Sequence, residues 1–430
     1  MGNHFQLSAK ILDLSDKVMF DIRPVFAEID EIAQANTEKV LAAFQRHRVS
    51  DVCFAGTTGY GYNDKGRETL DLLFADIMGT PAALVRTGFV SGTHAITTAL
   101  FASLSPGQTL LSVTGIPYDT LHGVIGINSN GGGSTDSLKG SLKDYGISYS
   151  QVDLTEDGTP DISAITDAVQ RSGAQNSGEI GAILIQRSRG YSSRRAITVS
   201  EIGEICKAVR SINKNINIFV DNCYGEFTEI IEPGNAGADL MAGSLIKGPG
   251  GGIAPRGGYI AGREDLIEAA AYRQTAPGIG GECGATPEGY RQYYQGLFMA
   301  PHTVAQALKT AVFASRLLEL CGYKTFPKYD DFRSDIVQVV EFNSPELLDR
   351  FCKGIQKASP VDSFAAPIPS DMPGYDYPVI MAAGAFNQGA TIELSADGPL
   401  REPYNVYIQG GLTFESGKLG IMLAVDELIK

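Results

Sequence analysis

Lys247 stands alone among uncharged residues in GSLIKGPGGGIAPRGGYIAG, residues 243–262, with its glycines crowded behind it rather than in front. A phosphate cradle, a hinge and an amine held ready for chemistry could each use such a setting. The cradle fails on spacing. It needs glycine directly before the lysine and Ser or Thr directly after, because upstream backbone N–H groups wrap the phosphates, whereas here Ile246 precedes and Gly248 follows. No G-x-G-x-x-G turn links a strand to a helix in the first α/β unit either, so the dinucleotide fingerprint is missing. The remaining chemical reading is a lysine that forms a Schiff base, for which a desolvated pocket lowers the pKa and frees the lone pair. The plain alternative is a surface lysine beside a glycine loop.

A lysine that carries pyridoxal phosphate needs an acid near the pyridine nitrogen, an anion site for the phosphate and an aromatic surface against the ring. Asp221 ends the apolar run INIFVDN, and a carboxylate at the carboxyl end of a buried parallel strand faces the ligand-binding edge of its sheet. In RTGFVSGTHAITTAL, Ser91, Gly92 and Thr93 open a helix, where free N–H groups and the helix dipole favour an anion. Tyr118 in GIPYDTLHG follows the run TLLSV and opens another helix at the same edge. Each has a structural alternative: a turn residue for Asp221, an ordinary helix start for Gly92 and Thr93, a packing ring for Tyr118. Cys223 invites a nucleophile role, but no histidine is placed to activate it, so it reads as a buried thiol. His94 and His122 are the two histidines that fall near the chemistry. Arg187 and Arg189 follow the run AILI and face either substrate or solvent.

These residues need a sheet to bring them together. From about residue 68 the apolar runs ALVR, TLLSV, AILI and INIFV alternate with helical stretches, the pattern of a parallel sheet covered on both faces. One intervening helix can be counted out, since Ile202, Ile205, Val209 and Ile212 recur at spacings of 3, 4 and 3 behind Ser200 as N-cap. Residues 21–47 read as a helix, and a long one covers about 287–321, ending at Gly322. Beyond it, strands in DIVQVVEF and YPVIMAAGAF alternate with helices at 345–358 and 414–429. NSNGGGSTDSLKG and QRSGAQNSGEIG read as surface loops.

SGTHAI, PYDTLHG, FVDNCYGEF and the lysine block, in this order, resemble the aluminium-resistance, methionine gamma-lyase-like family of Cys/Met-metabolism pyridoxal-phosphate enzymes, from about residue 20 to the end. The resemblance implies an α/β architecture of the aspartate aminotransferase-like, fold type I kind, with a mostly parallel large domain and a smaller α+β C-terminal domain. The expected divisions are residues 1–65 for an N-terminal helix and cross-subunit loop, 66–300 for the cofactor domain and 301–430 for the bridging helix and small domain. It further implies that Lys247 holds the cofactor, Asp221 partners the pyridine nitrogen, and Gly92, Thr93 and Ser244 bind the phosphate. Tyr118 would stack on the ring and shuttle a proton. Tyr60 and Tyr62 would reach a neighbouring subunit's site, giving a homodimer or homotetramer. The chain departs from the better-known lyases at Ile246, where they carry threonine. Their cross-subunit arginine finds no clear match beyond Arg67, and Arg401 or Arg187 is left to take the substrate carboxylate.

Bulk properties narrow the class. The net charge of −14 opposes a nucleic-acid partner, which needs a basic face. No apolar run reaches membrane-spanning length, the first residues lack the order of a signal peptide or the myristoylation pattern, and the protein reads as cytoplasmic. Six cysteines at 53, 206, 223, 283, 321 and 352 form no C-x-x-C pair, so no metal site is expected. The expected activity is a carbon–sulfur lyase on a sulfur-containing amino acid such as methionine or cystathionine. An aminotransferase, an aldolase, or a non-catalytic stress-response or binding protein on the same scaffold is the alternative.

Overall fold

The apolar runs become two sheets in a computed structural model that describes residues 4–128, 139–172, 179–372 and 374–429. The large sheet comprises β1 (Ala82–Arg86), β2 (Thr109–Ser112), β3 (Ser148–Gln151), β4 (Ile180–Gln186), β5 (Asn217–Asp221), β6 (Leu240–Ser244) and β7 (Gly258–Gly262). Their order is β1-β7-β6-β5-β4-β2-β3. β6, β5, β4, β2 and β3 pair in parallel, and β7 is antiparallel to both β1 and β6. Side chains alternate between two covering layers with the period of 2 that a pleated strand imposes. Ala182, Leu184 and Phe219 face the helices Gly92–Ser103 and Glu264–Gln274. Ile183, Ile185, Ile218 and Val220 face the layer that contains Lys65–Met78, Ile162–Ser172 and Val199–Ile212. β4 is buried at every residue, which is why its sequence runs apolar without alternation.

The second sheet comprises β8 (Lys324–Phe326), β9 (Gln338–Glu341), β10 (Val379–Ala383), β11 (Ser395–Pro399) and β12 (Asn405–Gln409). Its order is β10-β11-β12-β9-β8, antiparallel throughout. Helix Pro345–Lys357 packs on β10 and β11, and Phe414–Ile429 packs on that helix and on the long Arg291–Leu320, which also touches the second sheet.

Several boundaries differ from the sequence reading. Residues 21–47 belong to two helices, Ala9–Asp21 and Arg23–Arg46, broken at Ile22 with proline in the first turn of the second. The helix of residues 199–212 is capped by Thr198 and not by Ser200, because Thr198 and Glu201 bond each other's backbone N–H reciprocally. The long helix spans 291–320, and Gly322 at φ +90° turns the chain after it. β8, β11 and β12 add three strands to the two expected. Most of the first glycine-rich loop (residues 129–138) and the middle of the second (173–178) lie outside the described residues. Among the described residues no helix is long and apolar enough to cross a membrane.

Candidate active site

The carboxyl ends of the large sheet's parallel strands open into a cavity of about 110 Å³. Its lining includes Gly92, Thr93, Tyr118, Asp221 and Lys247 from the large sheet's loops, and Asp397, Tyr407 and Gln409 from the second sheet. Asp221 is the last residue of β5 and stands in register with Gln186 on β4 and Ala242 on β6. Lys247 follows β6 by three residues. The chain leaves β1 through a short turn and enters helix Gly92–Ser103, whose start is fixed by Ser91 Oγ accepting from His94 N at 3.1 Å. A Cβ at Gly92 would lie 3.2 Å from Ser244 Cβ and 3.6 Å from Cys223 Sγ. Glycine therefore lets the free N–H groups of this helix start approach the strand that carries the lysine.

The charges around Lys247 are set by burial and by one another. One Asp221 oxygen accepts from Cys223 N at 3.2 Å, and burial raises its carboxyl above the ordinary value, with Lys247 the largest opposing influence. Lys247 Nζ lies 4.0 Å from the centroid of the Tyr224 ring. Burial alone would lower the Lys247 pKa. The acidic groups of Cys223, Tyr224, Asp221 and Glu226 act in the opposite direction, and the net shift of the ammonium is upward. This corrects the expectation of a lowered pKa, since the same edge that buries the lysine surrounds it with acids. Glu226 lies beneath the lysine turn with Oε1 accepting from Tyr259 Oη at 3.0 Å, and burial pushes its carboxyl up to about 8. Burial pushes the Cys223 thiol well up, as suits a thiol that is not a nucleophile.

Tyr118 belongs to a tyrosine wall. Its backbone N–H donates to Gln186 Oε1 at 2.6 Å and its hydroxyl meets the Tyr375 hydroxyl at 2.5 Å. Burial and Tyr375 hold its pKa far above ordinary, so the hydroxyl is protonated at neutral pH. Tyr191 packs edge-on against Tyr118 at 5.4 Å between centroids and lies 4.8 Å from Tyr407. Gly190 turns the chain at φ +57°, where a Cβ would come within 2.9 Å of the Tyr118 ring. Tyr375 arrives on the loop before β10, which is tied to helix Asp119–Ile125 by Tyr377 Oη donating to Asp119 Oδ1 at 3.2 Å.

Other expected site residues lie elsewhere. Arg187 does not reach the cavity. It is fully buried, pairs with Glu229 at 2.9 Å and Glu232 at 3.4 Å, and donates to Asn222 at 2.8 Å. Gln186 and Arg187 follow each other at the end of β4 and point to opposite faces, so the neutral amide faces the cavity and the guanidinium faces the core. Arg189 meets neither substrate nor solvent, being buried against Asp335 at 3.2 Å. Arg401 stands behind the wall, 4.4 Å over the Tyr377 ring and donating to Tyr191 O at 2.8 Å, in a separate surface depression. His94 packs edge-on to Phe89 and His122 bonds Pro117 O at 2.8 Å, and neither lines the cavity.

Ser244 is buried beside Gly92 and accepts from Ile246 N at 3.3 Å. Tyr60 and Tyr62 lie outside their own chain's cavity, 71% and 59% exposed, with rings 5.5 Å apart. Their loop is pinned from below by buried Arg67, which donates to the carbonyls of Gly61, Glu282 and Gly284 at 2.9, 3.0 and 3.2 Å. Sequence reasoning missed Gln186, Tyr191, Tyr375, Asp397, Tyr407 and Gln409. The signal for Gln186 and Tyr191 was their place at and just after the carboxyl end of β4; the others lie on elements with no comparable mark.

A family model described as methionine gamma-lyase matches residues 11–429. The structure of a carbon–sulfur lyase involved in aluminium resistance from Clostridium novyi NT is 51% identical, superposes with a TM-score of 0.91, and covers 98% of this chain and 96% of its own. The protein YnbB of Bacillus subtilis is 50% identical over 414 residues, 96% of this chain and 95% of that one. At 19% identity, the pyridoxal-5'-phosphate-dependent protein YhfS of Escherichia coli shares the fold with a TM-score of 0.60, over 93% of this chain and 97% of its own.

Proposed function

This chain belongs to the methionine gamma-lyase family, and from that premise we propose that it is a pyridoxal-phosphate-dependent carbon–sulfur lyase acting on a sulfur-containing amino acid. The observation that carries the reading is the meeting of Lys247, Asp221 and the Gly92 helix start at one cavity. The donor set fits the cofactor: an amine for its aldehyde, a buried acid for its ring nitrogen, and free N–H groups of Gly92 and Thr93 with Ser244 for its phosphate. When bound, the cofactor supplies the electron sink that makes Cα of an amino acid acidic.

The chain's own residues do the rest. Lys247 would hold the cofactor covalently and, once released, take the Cα proton as general base. Asp221, raised by burial yet facing a cation, would keep the ring nitrogen protonated. The Tyr118 ring would lie on the cofactor, and its protonated hydroxyl, bonded to Tyr375, would deliver a proton to the departing sulfur. The tyrosine wall and the loop before β10 would exclude water. Water then enters the overall balance, in which a sulfur amino acid plus water gives a thiol, a 2-oxo acid and ammonia. In this reading residues 1–65 supply an N-terminal helical region and cross-subunit loop, 66–300 the cofactor domain, and 301–430 the bridging helix and small domain of a type I fold. The exposed Tyr60 and Tyr62 would complete the site of a second subunit.

The test is to supply the purified protein with pyridoxal phosphate and incubate it with methionine, cystathionine and cysteine. Free thiol together with 2-oxo acid is expected. Oxo acid formed only when an amino-group acceptor is added would replace the lyase reading with transamination.

A further inference from the structure

The cavity has a second wall, and its chemistry differs from that of the cofactor side. β11 and β12 set Asp397 directly opposite Tyr407. Asp397 Oδ2 accepts from Tyr191 Oη at 2.9 Å and from Gln409 Nε2 at 2.8 Å. Oδ1 takes no hydrogen bond from the described residues. Burial pushes the carboxyl up to about 6 against its hydrogen bonds from Tyr191 and Gln409 and the Lys247 ammonium, so a second cation beside it would favour its ionised form. An anion in so enclosed a place is costly unless something positive meets it. Among the described residues lining the cavity, Lys247 is the one cationic side chain, and the proposed function commits it to the cofactor. The rings of Tyr118, Tyr191, Tyr375 and Tyr407 cluster beside this carboxylate, with neighbouring centroids 4.8–6.0 Å apart. A carboxylate among electron-rich rings is suited to an organic ammonium.

We propose that Asp397, with Tyr191 and Tyr407, receives a positively charged amine at the far end of the substrate, so that the favoured substrates are sulfur amino acids whose departing thiol carries an ammonium. The assignment rests on the lyase reading and adds the substrate class to it. An alkyl tail in the same place leaves Oδ1 of Asp397 without a partner and covers it with hydrocarbon. Gln409 and Tyr191 orient the carboxylate, and both hold the same oxygen, so Oδ1 remains for the ligand. Orientation is therefore set before the substrate arrives.

The experiment compares tails of equal length on the holoenzyme: the S-aminoethyl and S-propyl derivatives of cysteine and of homocysteine, with thiol release as the readout. Wild-type kcat/KM is expected to favour the aminoethyl compound by about 10-fold or more, the scale of one charge-assisted hydrogen bond. Asp397→Asn should lower that preference by about 10-fold, and Asp397→Glu should retain part of it. A wild-type ratio at or below one overturns the assignment whether or not the variants fold. An equal loss on both tails in a folded, cofactor-loaded Asp397→Asn also overturns it, and either result leaves the lyase reading standing. Thiol from none of the four compounds overturns this assignment, and the lyase reading then stands or falls on thiol release from methionine, cystathionine and cysteine.

Discussion

Tyr118 is held at three points: its N–H by Gln186, its ring by Tyr191 and its hydroxyl by Tyr375. Removing only the hydroxyl separates proton transfer from stacking. Tyr118→Phe is expected to lower kcat by about 100-fold or more, the usual worth of a positioned acid, while visible absorbance of the bound cofactor is kept. Loss of that absorbance would assign the hydroxyl to cofactor binding instead. Glu226 raises a different question, because one of its oxygens is buried without a hydrogen-bond partner among the described residues. Its carboxyl stands at about 8 against an ordinary 4.5, so the folded protein keeps the proton that the unfolded chain has released. The unfolded chain binds fewer protons across that window, and the stability contribution present below 4.5 is lost as pH rises to about 8. Glu226→Gln keeps the shape and abolishes the titration. Its melting temperature should gain on the wild type as pH rises through that window, with the difference levelling off above it. A constant difference would show that Glu226 does not titrate there.

At the scale of elements, the glycines behind Lys247 have a packing reason. Gly250 closes the turn on itself so tightly that a Cβ there would fall 1.7 Å from Leu245 O, and against the long helix a Cβ at Gly251 would fall 2.3 Å from Gly296 O and one at Gly296 would fall 2.3 Å from Gly250 O. The glycine tail thus lets the lysine turn lie directly on helix Arg291–Leu320. Gly250→Ala is expected to cost about 1–3 kcal/mol by overpacking and to lower cofactor occupancy, measured by denaturant unfolding and by absorbance. Lys247, Asp221 and the Gly92 helix start were legible as neighbours because parallel strands deliver their ends to one edge and the intervening helices show in the periodicity. The second wall was not. Asp397 sits in SADGP, a strand with Pro and Gly and no apolar alternation, and it becomes a strand only because β10 and β12 flank it. The role of Arg187 was illegible for another reason, since its partners Glu229 and Glu232 are more than forty positions away and the face it takes is decided by where β4 ends.

The whole molecule poses its question at Tyr60 and Tyr62. A loop that was merely loose would not be tied at Gly61 O by buried Arg67 and at Tyr60 O by Gly284 N, and a loop serving its own chain's cavity would not leave both rings largely exposed. Pinned backbone beneath exposed aromatic rings fits a surface made to be covered, because aromatic side chains bury large areas at interfaces with little loss of freedom. If that cover is the cavity mouth of a second copy, each site draws Lys247 from one subunit and the tyrosine loop from the other. Two crippled proteins then repair each other. Lys247→Ala and the double variant Tyr60→Ala, Tyr62→Ala should each be nearly inactive alone. In a hybrid dimer the first subunit lends an intact loop to the intact lysine of the second, which restores one site of two. Full exchange of equal amounts makes half the dimers hybrids, so about a quarter of wild-type turnover should return. Recovery should track subunit exchange, appearing after partial unfolding and refolding of the mixture and not on mixing folded proteins in the cold. If exchange is verified by native mass and no activity returns, the tyrosine loop serves its own subunit and the site is complete within one chain.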